Sequence, residues 1–595
     1  MNKSQRTLAL LALPALCTTL VPGCPFGDLP QSSTDTDDAA TDGTGDPNST
    51  EGADSTGVPG DCAPLGPDDV NTDTTLPAGC YWVSTFLTVE HRLDLEPGVE
   101  LVFDPIAGLA VVGTGTMSAQ GTDQAPILMT PSSDQGWLGL QWIGSTSSDN
   151  RLEHVRLEAP ADIGIELTAA SRLTVSDCEI VDAPGVGLHA DPGAQLTVSA
   201  TTFEGGGVPL LVGIDAVAGI ASDNTFTSNA EPFVQVAGGT LSGDAQWAAL
   251  GIPLRLTGNA YVESALTLSP GLTIEMAQDS EFVVRTAGSI NAEGTADDPI
   301  TMRGVQDERG YWRGLSVESK ASANIMRHCA IEHGGARGWN GSDESVATVW
   351  LPDQSKLVMS DCALRRGDGA ALTSFGGADI SGFANNTIED NRQTIKVAPQ
   401  MVGAIEASNT FVDNDEAYVR VGRPNANNEA IVTPATWPAL GVPYRVMDRF
   451  YVETDWTIEP GATVEVMQDR QIIIEVGGSL HAVGTAQDPI TLTGAESLPG
   501  YWKGLQVLSV SADNELQHVV LSYGGSSGFN GNQDSDGGLF VEGTIRVSDS
   551  EISESGGHGV VVWDDAQLMG CAGMSFTNNA KLDVWVHAQG LSACS

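Results

Sequence analysis

Positive charge is scarce in this chain. Of 595 residues, 27 are Lys or Arg against 77 Asp or Glu, for a formal charge of −50, and Lys alone numbers six. So acidic a chain repels the phosphates of nucleic acid and the face of an anionic membrane, which excludes both as partners held by charge. Nine Cys are present and none stands in a Cys-x-x-Cys pair, so zinc has no support. Beyond the N-terminal segment there is no run of the ~20 apolar residues that a membrane-crossing helix needs. What is plentiful is Gly, at 69 residues, well above the usual ~7% and a sign of many tight turns. An apolar fraction of 41% excludes wholesale disorder.

Residues 1–23 combine Lys3 and Arg6 with an apolar stretch from Leu8 to Leu20, the organisation of a secretory signal peptide. The run Leu20-Val21-Pro22-Gly23-Cys24 resembles a bacterial lipobox, which implies lipid attachment at Cys24 and a membrane partner through that lipid. Residues 25–75 carry 12 acidic and no basic residues among Ser, Thr, Gly and Pro. Such a stretch buries no core, so 24–75 reads as a disordered acidic tether. Export places the remaining Cys in an oxidising compartment. Cys62 with Cys80, and Cys571 with Cys594, are therefore expected as disulfides, each contributing ~3 kcal/mol.

Repetition is the strongest signal. Trp247 to Gly341 aligns without a gap on Trp437 to Gly531 at an offset of 190, and a more divergent copy lies upstream. The folded region therefore divides into 76–246, 247–436 and 437–595. Within the first of these, Leu157, Ile180, Phe203 and Phe226 recur every 23 residues, as do Ile165, Leu188, Leu211 and Val234. Short runs such as Leu173-Thr174-Val175 alternate with the period of two that marks strands. Several apolar columns with one shared period call for a coil of about 23 residues, stacked on itself as a parallel β-solenoid.

This pattern resembles the right-handed parallel β-helix repeat proteins of the pectate-lyase-like superfamily, over roughly residues 76 to 595. The runs Gly294-Thr295-Ala296-Asp297-Asp298-Pro299-Ile300 and Gly310-Tyr311-Trp312-Arg313-Gly314-Leu315, with Asn324 and His333-Gly334-Gly335, are similar to modules of large bacterial surface lipoproteins. The resemblance implies an all-β, right-handed rod of ~22 coils in three homologous modules. At ~4.8 Å per coil its length is ~100 Å. The right hand follows from the family and from the crossover rule for parallel strands.

Several columns invite chemistry. His154, His328 and His518 occupy one position of the three repeats, but about eight coils apart they do not share a site, and a half-buried strand position accounts for them. Asn150, Asn324 and Asn514 resemble asparagines stacked in β-helix turns. Trp137, Trp312 and Trp502 read as coil-packing residues, although an exposed aromatic row would suit sugar stacking. Cys329 and Cys362 fall in one column, as inward thiols or as a bridge between rungs, and Cys178 holds the corresponding place upstream. Arg365 and Arg366 near Asp361 and Asp368 are the nearest approach to the base-and-carboxylate site of a polysaccharide lyase.

The second and third repeats insert Gly334 to Ser345 and Gly524 to Gly537 where the first is short. Such insertions are expected on one side of a solenoid, as its binding surface. Both carry an aromatic residue followed by Asn-Gly. Trp339, Asn340, Asp343, Phe529 and Asn530 are therefore the ligand-binding candidates. Asn532, Asp534 and Asp536 alternate oxygen-bearing side chains like the opening of a calcium loop, and calcium is the one cofactor the sequence points to. The expected function is a non-enzymatic lipoprotein of the bacterial cell envelope, at the outer membrane or cell surface. Its rod is structural or adhesive, with neutral surface glycans as partners; a polysaccharide lyase or glycoside hydrolase is the alternative.

Overall fold

Alternating side chains build the interior one rung at a time. In the strand Arg172–Ser176 the side chains of Leu173 and Val175 turn inward and are fully buried, while those between them face out. Leu157, Ile180, Phe203 and Phe226 sit directly above one another on parallel strands, and the rings of Phe203 and Phe226 stack 5.5 Å apart. In the computed structural model, which describes residues 60, 62–424, 426 and 429–587, these columns form an all-β parallel solenoid of about 21 turns. Among these residues no helix is long and apolar enough to cross a membrane. The signal segment, Cys24 and the tether as far as residue 59 lie outside the described residues, as does Cys594.

The fold begins earlier than the expected boundary at 76. Ala63–Pro64 pairs with Tyr81 and Trp82, Val70 is buried, and Thr74–Leu76 joins the next coil. Cys62 is bonded to Cys80 with their Cα atoms 4.6 Å apart. Residues from 62 to 75 thus cap the first coils instead of extending the tether. Leu211 departs from its expected column as well. Leu188 pairs with Leu210, which in turn pairs with Val234. The chain reaches Leu210 one residue early after the turn at Gly205-Gly206-Gly207, and alternation then sends Leu211 outward.

Among the described residues, two sheets of 14 strands run through most of the solenoid, accompanied by five shorter ones. The first long sheet extends from Leu87–Val89 to Thr410–Val412, and the second from Gly239–Leu241 to Ser575–Thr577. Equivalent strands of the sequence repeats do not stay on one face. The strand just before the inserted loop is Cys329–Glu332 in the second repeat, on the first long sheet, and Val519–Ser522 in the third, on the second long sheet. The strand after the loop is Ala347–Trp350 on the second long sheet, then Gly537–Val541 on the seven-stranded sheet. The inserted loops therefore border opposite margins of the second long sheet. One enters its strands and the other leaves them, so they do not collect on one side.

Corners are closed by side chains that take the place of backbone partners. Asn150, Asn324 and Asn514 are buried, and each Oδ1 accepts the backbone N–H of Met117, Ile290 or Leu480 from the preceding coil, at 3.0 Å in every case. Further ladders run through Cys362, Asn386 and Asn409, and through Gly367, Asn391 and Asn414, one coil to the next. Each satisfies a buried donor that the turn would otherwise leave without a partner.

Candidate functional site

The inserted loop of the second repeat is folded down by Arg313. Its guanidinium donates to the backbone carbonyls of Gly338 and Trp339 at 2.8 and 2.7 Å, lies 4.5 Å above the Trp339 ring and pairs with the buried Glu281. Gly314, which follows it, has φ +118°, and a Cβ there would come within 2.3 Å of the Thr348 carbonyl, so only glycine fits. Trp339 Nε1 donates to Ala347 O at 3.1 Å. Asn340 is exposed but its Oδ1 accepts from Ser342 N at 3.1 Å and from Ser345 Oγ at 2.6 Å. Aromatic-Asn-Gly is thus a device for shaping the loop, and it leaves Trp339 half-buried and Asp343 exposed at its surface.

In the third repeat the same positions are filled differently. Phe529 is buried, its ring stacked 4.6 Å from Phe540 with Lys503 Nζ 5.0 Å away on the place of Arg313. Asn530 takes part in the short 3-10 turn Phe529–Gly531. Asn532 Oδ1 accepts the N–H of Asp534 at 3.0 Å, and Asp536 meets Lys581 Nζ at 2.7 Å. Any cation entering this turn competes with an ammonium already on Asp536. Among the described residues no three His, Cys, Asp or Glu side chains converge as a metal cage.

Beneath the second-repeat loop lies an open cleft of about 610 Å³, lined by Arg337, Asp343, Glu344, Arg392, Lys396 and Arg420 among others. Its floor is the outward face of the second long sheet. There Lys396 and Arg420 stand side by side on neighbouring strands, with Arg445 on the next. The loop covers the first two so that Lys396 is 3% and Arg420 8% exposed. Glu344 bridges them: its carboxylate pairs with Arg420, and its carbonyl is 3.4 Å from Lys396 Nζ. Arg420 Nε is buried without a hydrogen-bond partner. Burial, reinforced by the Arg420 charge, lowers the Lys396 ammonium to about 8. No motif in the sequence marks this pair, although Lys396, Arg420 and Arg445 at spacings of 24 and 25 form a basic column in an acidic chain.

Next to the cleft a string of charges ties coils together. Asp307 lies 2.9 Å from His333 Nε2 and pairs with Arg366; Arg366 Nε is 3.5 Å from Asp390; Arg309 pairs with Asp390 and meets Asp415 at 2.8 Å. Arg365 lies 3.2 Å from Glu389, and Asp361 and Asp368 are exposed. The other columns are structural. His154, His328 and His518 occupy corners with φ of 47 to 48° between two strands, not positions within a strand. Trp137, Trp312 and Trp502 are fully buried and donate to main-chain carbonyls at 2.7 to 2.9 Å. Cys178, Cys329 and Cys362 are free, buried thiols, and Cys362 Sγ accepts the Cys329 N–H at 3.3 Å. Cys571 is disulfide-bonded.

No protein-family model, no curated protein and no solved structure matches the chain.

Proposed function

We propose that the chain is a non-enzymatic lipoprotein of a bacterial cell envelope, acylated at Cys24 and standing off the membrane on its acidic tether. In this reading a right-handed β-helix of three homologous modules, of the pectate-lyase-like kind, serves as a structural or adhesive rod that holds a surface glycan in the cleft under the second-repeat loop. The observation that carries it is the state of the ionisable groups there. One end of Arg420 pairs with Glu344, and beside the cleft Arg366 and Arg309 are tied to aspartates of other coils in a linear string. Such groups brace coils and frame a ligand; a charge of −50 favours a ligand that is largely uncharged.

One observation favours the alternative of a polysaccharide lyase or hydrolase. Lys396, held near 8 by burial, is a base that operates close to neutral pH. A glycan-array screen of the soluble rod with product analysis on the same sugars separates the two. Capture without cleavage is expected, and a shortened sugar would overturn the display reading. Mass spectrometry of the mature chain should show an acylated N-terminal Cys24.

A further inference from the structure

The arrangement of Lys396 and Arg420 is unusual in its setting. Like charges directly opposite on neighbouring strands destabilise a sheet, and burying both away from water strengthens the repulsion. Three carboxylates lie near this pair: Asp343 lines the cleft, Glu416 acts on Lys396 through its charge without a direct contact, and Glu344 makes the one ion pair, with Arg420 by its charged end. The Lys396 ammonium has a single long contact of 3.4 Å with a main-chain carbonyl, and Arg420 Nε has none. Donors of two buried cations thus remain open on the floor of a cleft whose mouth carries two more, Arg337 and Arg392, both exposed. Donors approaching from several directions suit an anion with three free oxygens more than a planar carboxylate, which two donors of one guanidinium already satisfy.

We propose that Lys396 and Arg420 form a binding site for a tetrahedral oxyanion, the phosphate or sulfate ester of a ligand that enters beneath the 338–346 loop. Glu344 is then an internal anion that holds the site in its empty form. It neutralises Arg420 until an ester group replaces or joins it. This inference rests on the reading of the cleft as a binding site and is independent of the envelope location. The ligand it describes is a mainly neutral molecule bearing one such ester.

The test is titration calorimetry on the full chain with inorganic phosphate, sulfate and acetate at constant ionic strength. Phosphate, sulfate or both should give saturable binding, the stronger of the two naming the ester, and acetate should bind at least about tenfold more weakly. Lys396→Gln and Arg420→Gln should each weaken oxyanion binding about tenfold or more, the loss of one charge-assisted hydrogen bond. Glu344→Gln, an alteration on the loop, removes the competing carboxylate. It should tighten oxyanion binding, and the anion should raise the melting temperature of this variant more than that of the parent. Absence of saturable binding to the parent, acetate binding as well as sulfate, or Glu344→Gln leaving affinity unchanged would each overturn the site. The last holds even if the floor variants fail to fold. If a neutral glycan is captured through the loop while phosphate and sulfate leave no mark, the display reading survives and this inference falls. A cleaved glycan with oxyanion binding intact does the reverse.

Discussion

Lys396 and Arg420 lie directly opposite each other on adjacent parallel strands, both buried and both basic. The pairing makes stability depend on pH in a direction that follows from the shift. The Lys396 ammonium is lowered to about 8 in the folded chain by burial and by Arg420, whereas an unfolded lysine titrates near ~10.4. Between those values the unfolded state binds more protons, so this group makes stability rise with pH, and its full penalty is present below about 8.

Lys396→Met should therefore be more stable than the parent at pH 7, by on the order of 3 kcal/mol at most. The advantage should shrink as pH rises from 8 towards 10. Cys178, whose thiol burial pushes up to about 12, acts oppositely above pH 9 but equally in both proteins, so it cancels in the difference. Denaturant unfolding of the two chains across this range is the measurement. A difference that stays constant with pH would show that Lys396 is not held below its ordinary value.

The register of the first repeat makes a sharper claim. Leu210 is fully buried and faces Leu188 and Val234, while Leu211 is half-exposed beside His189 and Gln235. Leu210→Asp should lower stability by several kcal/mol through an unpaired buried charge, and Phe203→Asp should do the same. Leu211→Asp should change it by less than about 1 kcal/mol. Equal losses at 210 and 211 in thermal melts would mean that the one-residue slip after Gly205-Gly206-Gly207 is misplaced.

That slip marks the border of what the sequence makes legible. Columns such as Leu157, Ile180, Phe203 and Phe226 are readable because each coil spends the same number of residues, and a constant period is visible in one dimension. A glycine turn one residue shorter changes the face of everything after it until the next turn restores the count, and nothing local announces it. The shift of equivalent strands to the next face is hidden for a related reason. Alignment of 247–341 with 437–531 preserves every spacing inside a repeat and is blind to rotation between repeats. The cleft is harder still. Lys396 and Arg420 look like ordinary strand cations, and what buries them is a loop residue, Glu344, that lies 52 and 76 positions earlier.

The asparagine ladders give a prediction about main-chain satisfaction. Asn386 is fully buried; its Oδ1 accepts the Cys362 N–H at 3.0 Å, and its amide donates to Met359 O and to Asn409 Oδ1, both at 3.0 Å. Asn386→Leu keeps the volume but leaves the buried Cys362 N–H without a partner, whereas Met359 O keeps the Ala384 N–H and Asn409 Oδ1 keeps the main-chain N–H of residue 386. A loss of about 1–3 kcal/mol is expected. Hydrogen exchange should locate it, because the Cys362 amide loses protection while amides several coils away keep theirs. Uniform loss of protection along the solenoid would contradict a ladder made of local, coil-to-coil bonds.

The loop clamp leads to a test that separates shape from stability. Arg313 holds the inserted loop by two main-chain carbonyls and by the face of Trp339, and a lysine reproduces neither the fork nor the flat stacking surface. Glu281, its ion-pair partner, retains a hydrogen bond from Tyr261 at 3.0 Å, so removal of Arg313 does not leave that carboxylate alone. Arg313→Ala should therefore release the loop while most of the solenoid persists. The exposed Arg337 within it supplies a trypsin site. Limited proteolysis should cut the variant after Arg337 at least about tenfold faster than the parent, since loss of two hydrogen bonds to a charged group raises the open population by that much or more. Its melting temperature should move by only a few degrees. Arg313→Lys should fall between the two. If cleavage after Arg337 proceeds at the parental rate in Arg313→Ala, the loop is held by something other than the guanidinium, and the roof of the cleft must be assigned to other contacts.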